Sequence, residues 1–186
     1  MALSATIYKV ELQLSDLDRG HYGSYNLTMA CHPSETTERM MLRLVAFARH
    51  ASEALKFTRG ISSDDEPDLW EHHDYGDIKT WIELGLPDER RLRQACGRAD
   101  EVWLYAYGGR ALPVWWQQNA SALRKLDKLS VVSLPEATLA ELDAMTARTM
   151  QLSCTIQDGT LWLADGSHNL ELVFTTLQDK GVQAPS

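Results

Sequence analysis

The chain has 186 residues, 44% hydrophobic and 24% charged, which suits one compact domain with a sizeable core and excludes a disordered or fibrous protein. Its 26 Asp and Glu against 18 Lys and Arg leave a net charge of -8, which argues against a general nucleic-acid coat protein but not against an acidic nuclease with metal ions and a local basic patch. No apolar run approaches the roughly 18 residues of a membrane span, and Met1 to Thr6 lacks a basic stretch followed by an apolar one, so a cytoplasmic protein without membrane contact is expected.

Thr6 to Leu14 alternates, with Tyr8, Val10, Leu12 and Leu14 on one face, and predicts a half-buried strand. After the polar turn Ser15 to Gly23, Tyr25, Leu27, Met29 and Cys31 alternate in a second strand, so the chain opens with a hairpin. Pro33-Ser34-Glu35 announces a helix with Ser34 as N-cap and Glu35 in the first turn; Met41, Leu44, Val45, Ala48 and Leu55 carry helical spacing to about Lys56. Glu38 lies on that apolar stripe, where a carboxylate needs a partner.

Phe57 to Ile61 and Pro67 to His72 read as short strands around an acidic turn, Ser62 to Glu66. Lys79 to Gly85 alternates again, with Thr80, Ile82 and Leu84 on one face and Lys79, Trp81 and Glu83 on the other. Asp88 caps a helix from Glu89 to about Arg98, and Glu101 to Tyr107 forms the next strand. Leu112, Trp115, Trp116, Asn119 and Leu123 recur at helical spacing before the apolar strand Leu129 to Leu134, which predicts a right-handed parallel crossover.

Pro135 opens one more helix, packed by Leu139, Leu142 and Met145. Strands at Met150 to Gln157, Thr160 to Ala164 and Asn169 to Thr175, joined by Asp158-Gly159 and Asp165-Gly166, precede a frayed tail from Gln178. Cys31, Cys96 and Cys154 are odd in number and widely spaced, so they read as reduced, buried thiols rather than a disulfide framework or zinc site.

From Ser34 to Tyr107 the order is helix, strand, strand, strand, helix, strand, with Asp68 after Pro67 at the second strand and Glu83 on the third. This resembles the core of the PD-(D/E)XK nuclease superfamily, whose acids at those two places hold a divalent metal. A closer resemblance spans nearly the whole chain: His32-Pro33-Ser34-Glu35-Thr36-Thr37-Glu38-Arg39-Met40-Met41, Asp64-Asp65-Glu66-Pro67-Asp68, Trp81 to Arg90 and Trp115-Trp116-Gln117-Gln118-Asn119 look like segments of the YaeQ family of bacterial proteins. That resemblance implies a PD-(D/E)XK variant with extra strands and a link to transcription, and it leaves the biochemical activity open. It also implies that Asp68 and Glu83 are the motif carboxylates and Glu38 the helix glutamate that some superfamily members add.

Mg²⁺ favours carboxylate and water oxygens, and a bound ion polarises a phosphate and lowers the pKa of an attacking water. The superfamily expects a lysine two residues after the acid of the third strand, where this chain has Gly85. Lys79 shares the face of Glu83 but stands roughly 13 Å along the strand, too far to substitute. Arg91 and Gln94, at the start of the next helix, are the candidates to reach back.

Each candidate also has a plain structural reading. Asp68 can be a turn carboxylate, Glu83 an exposed strand position, and Glu38 half of a salt bridge with an arginine at the core edge; Glu35 reads as a helix-start acid rather than a ligand. His72-His73-Asp74 cannot chelate one ion from a strand, because neighbours point to opposite faces. Trp115 and Trp116 read as core rather than as a platform for bases, Gln117 and Gln118 as facing a phosphate or solvent, and Glu89 to Arg93 as a solvated helix face that beside the carboxylates could receive a phosphate.

The sequence therefore predicts one α/β domain over residues 1–186. It has a PD-(D/E)XK (restriction-endonuclease-like) core at about 33–134, an N-terminal β-hairpin, and additional C-terminal strands at about 150–176. The leading function is hydrolysis of DNA or RNA phosphodiesters with Mg²⁺ or Mn²⁺ on Asp68, Glu83 and Glu38, helped by Arg91 or Gln94. The alternative is a non-catalytic binding or regulatory protein that keeps the fold and acts on transcription through a protein partner.

Overall fold

The computed structural model describes residues 4–59 and 65–180, gathered into two compact units. Unit 1 comprises residues up to Ala51 together with Leu134–Phe174, and unit 2 comprises Ser52–Ser133 and the segment from Thr175. The expected core at about 33–134 is thus divided: its first helix belongs to unit 1 and its strands to unit 2. Ile61, the Ser62 to Asp64 part of the acidic turn and the tail beyond Lys180 lie outside the described residues.

Unit 1 opens with the expected hairpin, β1 (Thr6–Asp16) paired antiparallel with β2 (His21–Cys31). Alternate side chains Val10, Leu12 and Leu14 are buried, as the two-residue period requires. Helix α1 (Thr37–His50) starts later than the sequence suggests. Its N-cap is Thr36, whose hydroxyl accepts the Arg39 N–H at 3.1 Å, while the Ser34 hydroxyl is engaged by His32. It also ends sooner, at His50, and Leu55 enters a strand.

From Met40 to Ala48 α1 is buried on every side. Helix α4 (Glu136–Ala144) packs beside it, and the Asp143 carboxylate accepts the Thr37 hydroxyl at 2.5 Å. Strands β8 (Thr149–Gln157), β9 (Thr160–Ala164) and β10 (Asn169–Val173) complete the sheet in the order β10-β9-β8-β1-β2, with β8 parallel to β1. The β8–β9 turn bends through positive φ at Asp158 and Gly159, and the Asp18 carboxylate accepts both of their N–H groups, at 2.7 and 2.9 Å.

Unit 2 holds the sheet β11-β7-β6-β5-β4-β3. Strands β3 (Leu55–Phe57), β4 (Leu69–His72) and β5 (Ile78–Leu84) run antiparallel in succession. Then α2 (Glu89–Arg98) carries the chain to β6 (Ala99–Ala106), parallel to β5, and α3 (Ala111–Leu123) carries it to β7 (Leu129–Ser133), parallel to β6. Trp81, Leu92, Ala95, Leu104, Leu123 and Val131 form the core, with Trp115 and Trp116 half-buried against it.

The tail expected to fray from Gln178 is held at its first residue. Thr175–Gln178 forms β11, antiparallel to β7, and the Gln178 amide donates to the Leu123 carbonyl at 2.7 Å. An edge strand and a carbonyl at the end of α3 both need partners, which local periodicity does not reveal. Among the described residues no helix is long and apolar enough to cross a membrane.

Candidate functional site

The antiparallel register Leu69↔Ile82, carried one residue further, sets Asp68 opposite Glu83. Residues facing each other in such a ladder point to one side of the sheet, with Cβ atoms about 4.5–5.5 Å apart. Two backbone bonds anchor Asp68: its N–H donates to the Ile82 carbonyl at 2.9 Å, and its carbonyl accepts the Thr58 N–H at 3.2 Å. Its carboxylate accepts the Leu84 N–H at 2.8 Å and closes the end of the ladder. Both acids are buried, Asp68 at 6% and Glu83 at 4% exposure, so Glu83 is no exposed strand position.

A buried carboxylate needs compensation, and Glu83 receives two donors on one oxygen. The Trp81 indole N–H, two residues away on the same strand face, donates to Glu83 Oε1 at 3.0 Å. Arg91, in the first turn of α2, donates Nε to that oxygen at 2.6 Å and also donates to the Glu66 carbonyl at 2.9 Å. Burial holds the Glu83 carboxyl above the usual carboxylate range; Arg91 and the Trp81 hydrogen bond pull it down, and the Asp68 charge pushes it up. The protein thus keeps a carboxylate pair with one guanidinium against it.

Gly85 follows β5 at φ +113°, with its N–H on the Tyr105 carbonyl at 3.0 Å. This backbone region is strained for any residue with a side chain, so a lysine at 85 is disfavoured by conformation. The cation beside Glu83 is Arg91 of α2. Lys79 stands 3.8 Å from the Glu71 carboxylate on the neighbouring strand, where its distance along β5 places it. Gln94 and Arg91 line an open cleft of about 450 Å³ along α2 together with Trp81 and Arg98.

Glu38 lies in unit 1 and pairs with no arginine; among the described residues it makes no salt bridge. Burial, with Asp143 and Glu136 nearby, raises its carboxyl above the usual range. The acid that Arg39 and Arg43 of α1 meet is Glu35: Arg43 donates to its two oxygens at 2.7 and 2.9 Å and Arg39 at 2.8 Å. Glu35 precedes the N-cap, so its role is to neutralise buried guanidinium rather than to start the helix. Glu38→Gln is expected to raise the melting temperature at pH 7 and to leave it unchanged below about pH 4. A carboxyl with a raised folded-state pKa gives its stability below the unfolded value and loses it as pH rises, whereas Gln does not titrate; a lowered melting temperature at pH 7 contradicts this.

His73 pairs with Asp100 at 2.6 Å and His72 packs edge-on against Trp70, so the two histidines face different partners. The cysteines are free and buried, as expected. Burial pushes the Cys96 thiol up to about 11 and Cys154 to about 12, which leaves them protonated and inert at neutral pH. Among the described residues no three His, Cys, Asp or Glu side chains gather where they could hold a metal ion. An ion such as Mg²⁺ needs only one or two carboxylates and keeps several waters, which a pair of facing acids offers, whereas an ion that needs three side chains finds no such group among the described residues.

The model of the family described as YaeQ protein matches residues 1–174. The chain belongs to the YaeQ family. It is 52% identical over 178 residues to the Escherichia coli (strain K12) protein described as uncharacterized protein YaeQ, covering 96% of this chain and 98% of that one. The Salmonella typhi protein of the same description is 51% identical with the same coverage. The crystal structure of the YaeQ protein from Xanthomonas axonopodis pv. citri superposes with TM-score 0.91 at 43% identity, over 94% of this chain and 99% of that one. For the YaeQ protein from Pseudomonas syringae the values are 0.90 and 38%, over 94% and 97%. The mixed α/β fold with its two mixed sheets is therefore the fold of the YaeQ family.

Trp81 and the Glu66 carbonyl are site partners that the sequence reading missed. The signal for Trp81 was present, since residues two apart on a strand share a face. For the Glu66 carbonyl there was none, because it depends on where the loop before β4 meets α2.

Proposed function

We propose that the protein hydrolyses nucleic-acid phosphodiesters with Mg²⁺ or Mn²⁺ held by Asp68 and Glu83, in a PD-(D/E)XK-type site. The observation that supports this reading is the Arg91 guanidinium at 2.6 Å from Glu83, a cation at the motif pair where position 85 is glycine rather than lysine. When bound, the ion would polarise the phosphate and acidify an attacking water. Before substrate binds, Arg91 holds the orientation of Glu83, and its planar fork suits phosphate oxygens on which charge develops. Because a guanidinium does not give up its proton, Arg91 acts by charge and position, not as a base. Gln94 offers a neutral amide to the same cleft.

The second reading is a non-catalytic binding or regulatory protein with a transcription-related partner. It is favoured by the pairing itself, since Arg91 already neutralises the buried Glu83. Melting curves with Mg²⁺ or Mn²⁺ and nicking assays on DNA and RNA separate the two. On the enzyme reading, ion at a hundredfold excess over Kd stabilises the fold by about 2.7 kcal/mol, Mn²⁺ supports nicking, and Asp68→Asn removes both while the protein stays soluble. If neither ion shifts melting and no substrate is nicked, the hydrolase reading fails and the binding reading stands.

A further inference from the structure

The face of α2 that meets the cleft carries Arg91, Gln94 and Arg98, spaced i, i+3 and i+7, which aligns them along one stripe of a helix. Gly97 also lines the cleft, and a Cβ built there meets nothing within 4 Å, so this wall leaves open room beside the two guanidinium groups. Four of the chain's 18 basic residues stand on α2, in a protein of net charge -8. Of these, Arg93 is tied to Glu89 at 2.8 Å, while Arg91 and Arg98 turn to the cleft.

Arg98 is exposed yet held in place. Its guanidinium lies over the Trp81 ring, 5.0 Å from the centroid, and Nη1 donates to the Asp65 carbonyl at 2.9 Å. A guanidinium has five donors in a planar fork that matches phosphate, and stacking on an aromatic ring reduces the freedom lost on binding. Asp65 also lines the cleft and Glu83 is already paired with Arg91, so an anion there has to compete with carboxylates for the two guanidinium groups. A phosphate monoester carries about -1.5 to -2 charges at pH 7, more than the single charge of Glu83 with which it would compete for Arg91.

We infer that this cleft is a subsite for a phosphate group, held by Arg98 and Arg91, and that phosphate bound there draws Arg91 away from Glu83. The inference deepens the proposed reaction by naming what its substrate presents, and it rests on that reading only for the source of the phosphate. Trp81 is the natural reporter, because its indole N–H bonds Glu83 and its ring lies beneath Arg98.

The test follows the Trp81 indole N–H resonance of ¹⁵N-labelled protein, assigned by its loss in Trp81→Phe, during titration with sodium phosphate at pH 7 and constant ionic strength. A saturable shift with phosphate and none with matched sodium chloride is expected. Arg98→Ala should weaken that response at least tenfold, and Gly97→Leu, which fills the cleft without removing a charge, should weaken it too. Both positions are exposed, and well-dispersed spectra of each variant establish that it folds. A shift that chloride reproduces, or a phosphate response that both variants leave intact, overturns the inference.

Hexathymidylate with and without a 5′-phosphate identifies the source. A response only to the phosphorylated strand assigns a terminal phosphate, a response to both assigns an internal phosphodiester, and a response only to inorganic phosphate assigns the free anion. Asp68→Asn should keep the phosphate response while losing nicking, so failure of hydrolysis and failure of the phosphate subsite are told apart.

Discussion

Replacing Arg91 by Met is expected to destabilise the protein by about 3 kcal/mol at pH 7, the low end of what breaking a buried ion pair costs, because Arg91 keeps 31% of its side chain exposed whereas Glu83 keeps 5%. In a chain of this length that corresponds to a fall in melting temperature of roughly 6–12 °C. The pH dependence identifies the cause. Without the guanidinium that lowers it, the Glu83 carboxyl rises still further above its unfolded value. A carboxyl with a raised folded-state pKa contributes fully below the unfolded value of about 4.3 and loses that contribution as pH rises through the folded value. The deficit against the parent protein should therefore be small at pH 4 and full at pH 8. Adding Glu83→Gln, which cannot ionise, should recover most of the loss at pH 8. An equal deficit at both pH values, with no recovery in the double variant, would show that Arg91 stabilises by packing rather than by charge.

Glu35→Ala is expected to be costlier still. The Glu35 side chain is 3% exposed and faces Arg43 at 5% and Arg39 at 13%, so its removal strands buried positive charge in unit 1. Arg43 also donates to the Ala30 carbonyl at 2.8 Å, which ties the guanidinium to β2 and prevents it from turning out to water. The expected cost is about 4 kcal/mol, within the range for an uncompensated buried charge. The adjacent Glu38→Gln change should move stability the other way at pH 7, since Glu38 faces Asp143 and Glu136 rather than a cation. Urea unfolding of both variants decides the matter: a loss under 1 kcal/mol for Glu35→Ala would mean that solvent reaches Arg43 after all.

Local periodicity made much of the architecture legible. The alternation of Val10, Leu12 and Leu14 gave β1, that of Thr80, Ile82 and Leu84 gave β5, and the stripe Leu92, Ala95 and Cys96 gave α2 to its observed ends, Glu89–Arg98, although Asp88 stands at the N-cap position without a side-chain capping bond. The parallel crossover from β6 through α3 to β7 also follows from element order, because parallel neighbours need such a connection. The resemblance also singled out Asp68 and Glu83, which face each other across β4 and β5, and Arg91, which reaches Glu83.

Pairing between distant segments was not legible. An alternating pattern states which side chains share a face, but not which strand lies alongside, so the parallel register Lys9↔Thr149 between β1 and β8 has no local signal. The same holds for charge. Sequence spacing put Glu38 on the apolar stripe of α1 and suggested an arginine partner, yet Arg39 and Arg43 of that helix converge on Glu35, which lies before the helix. What the sequence by itself determined is the set of elements and the face each side chain takes, since both follow from backbone period. Which carboxylate meets which guanidinium was decided only by the tertiary structure: an ion pair forms where two elements approach within about 4 Å, and that approach is set by register and packing between segments far apart in the chain.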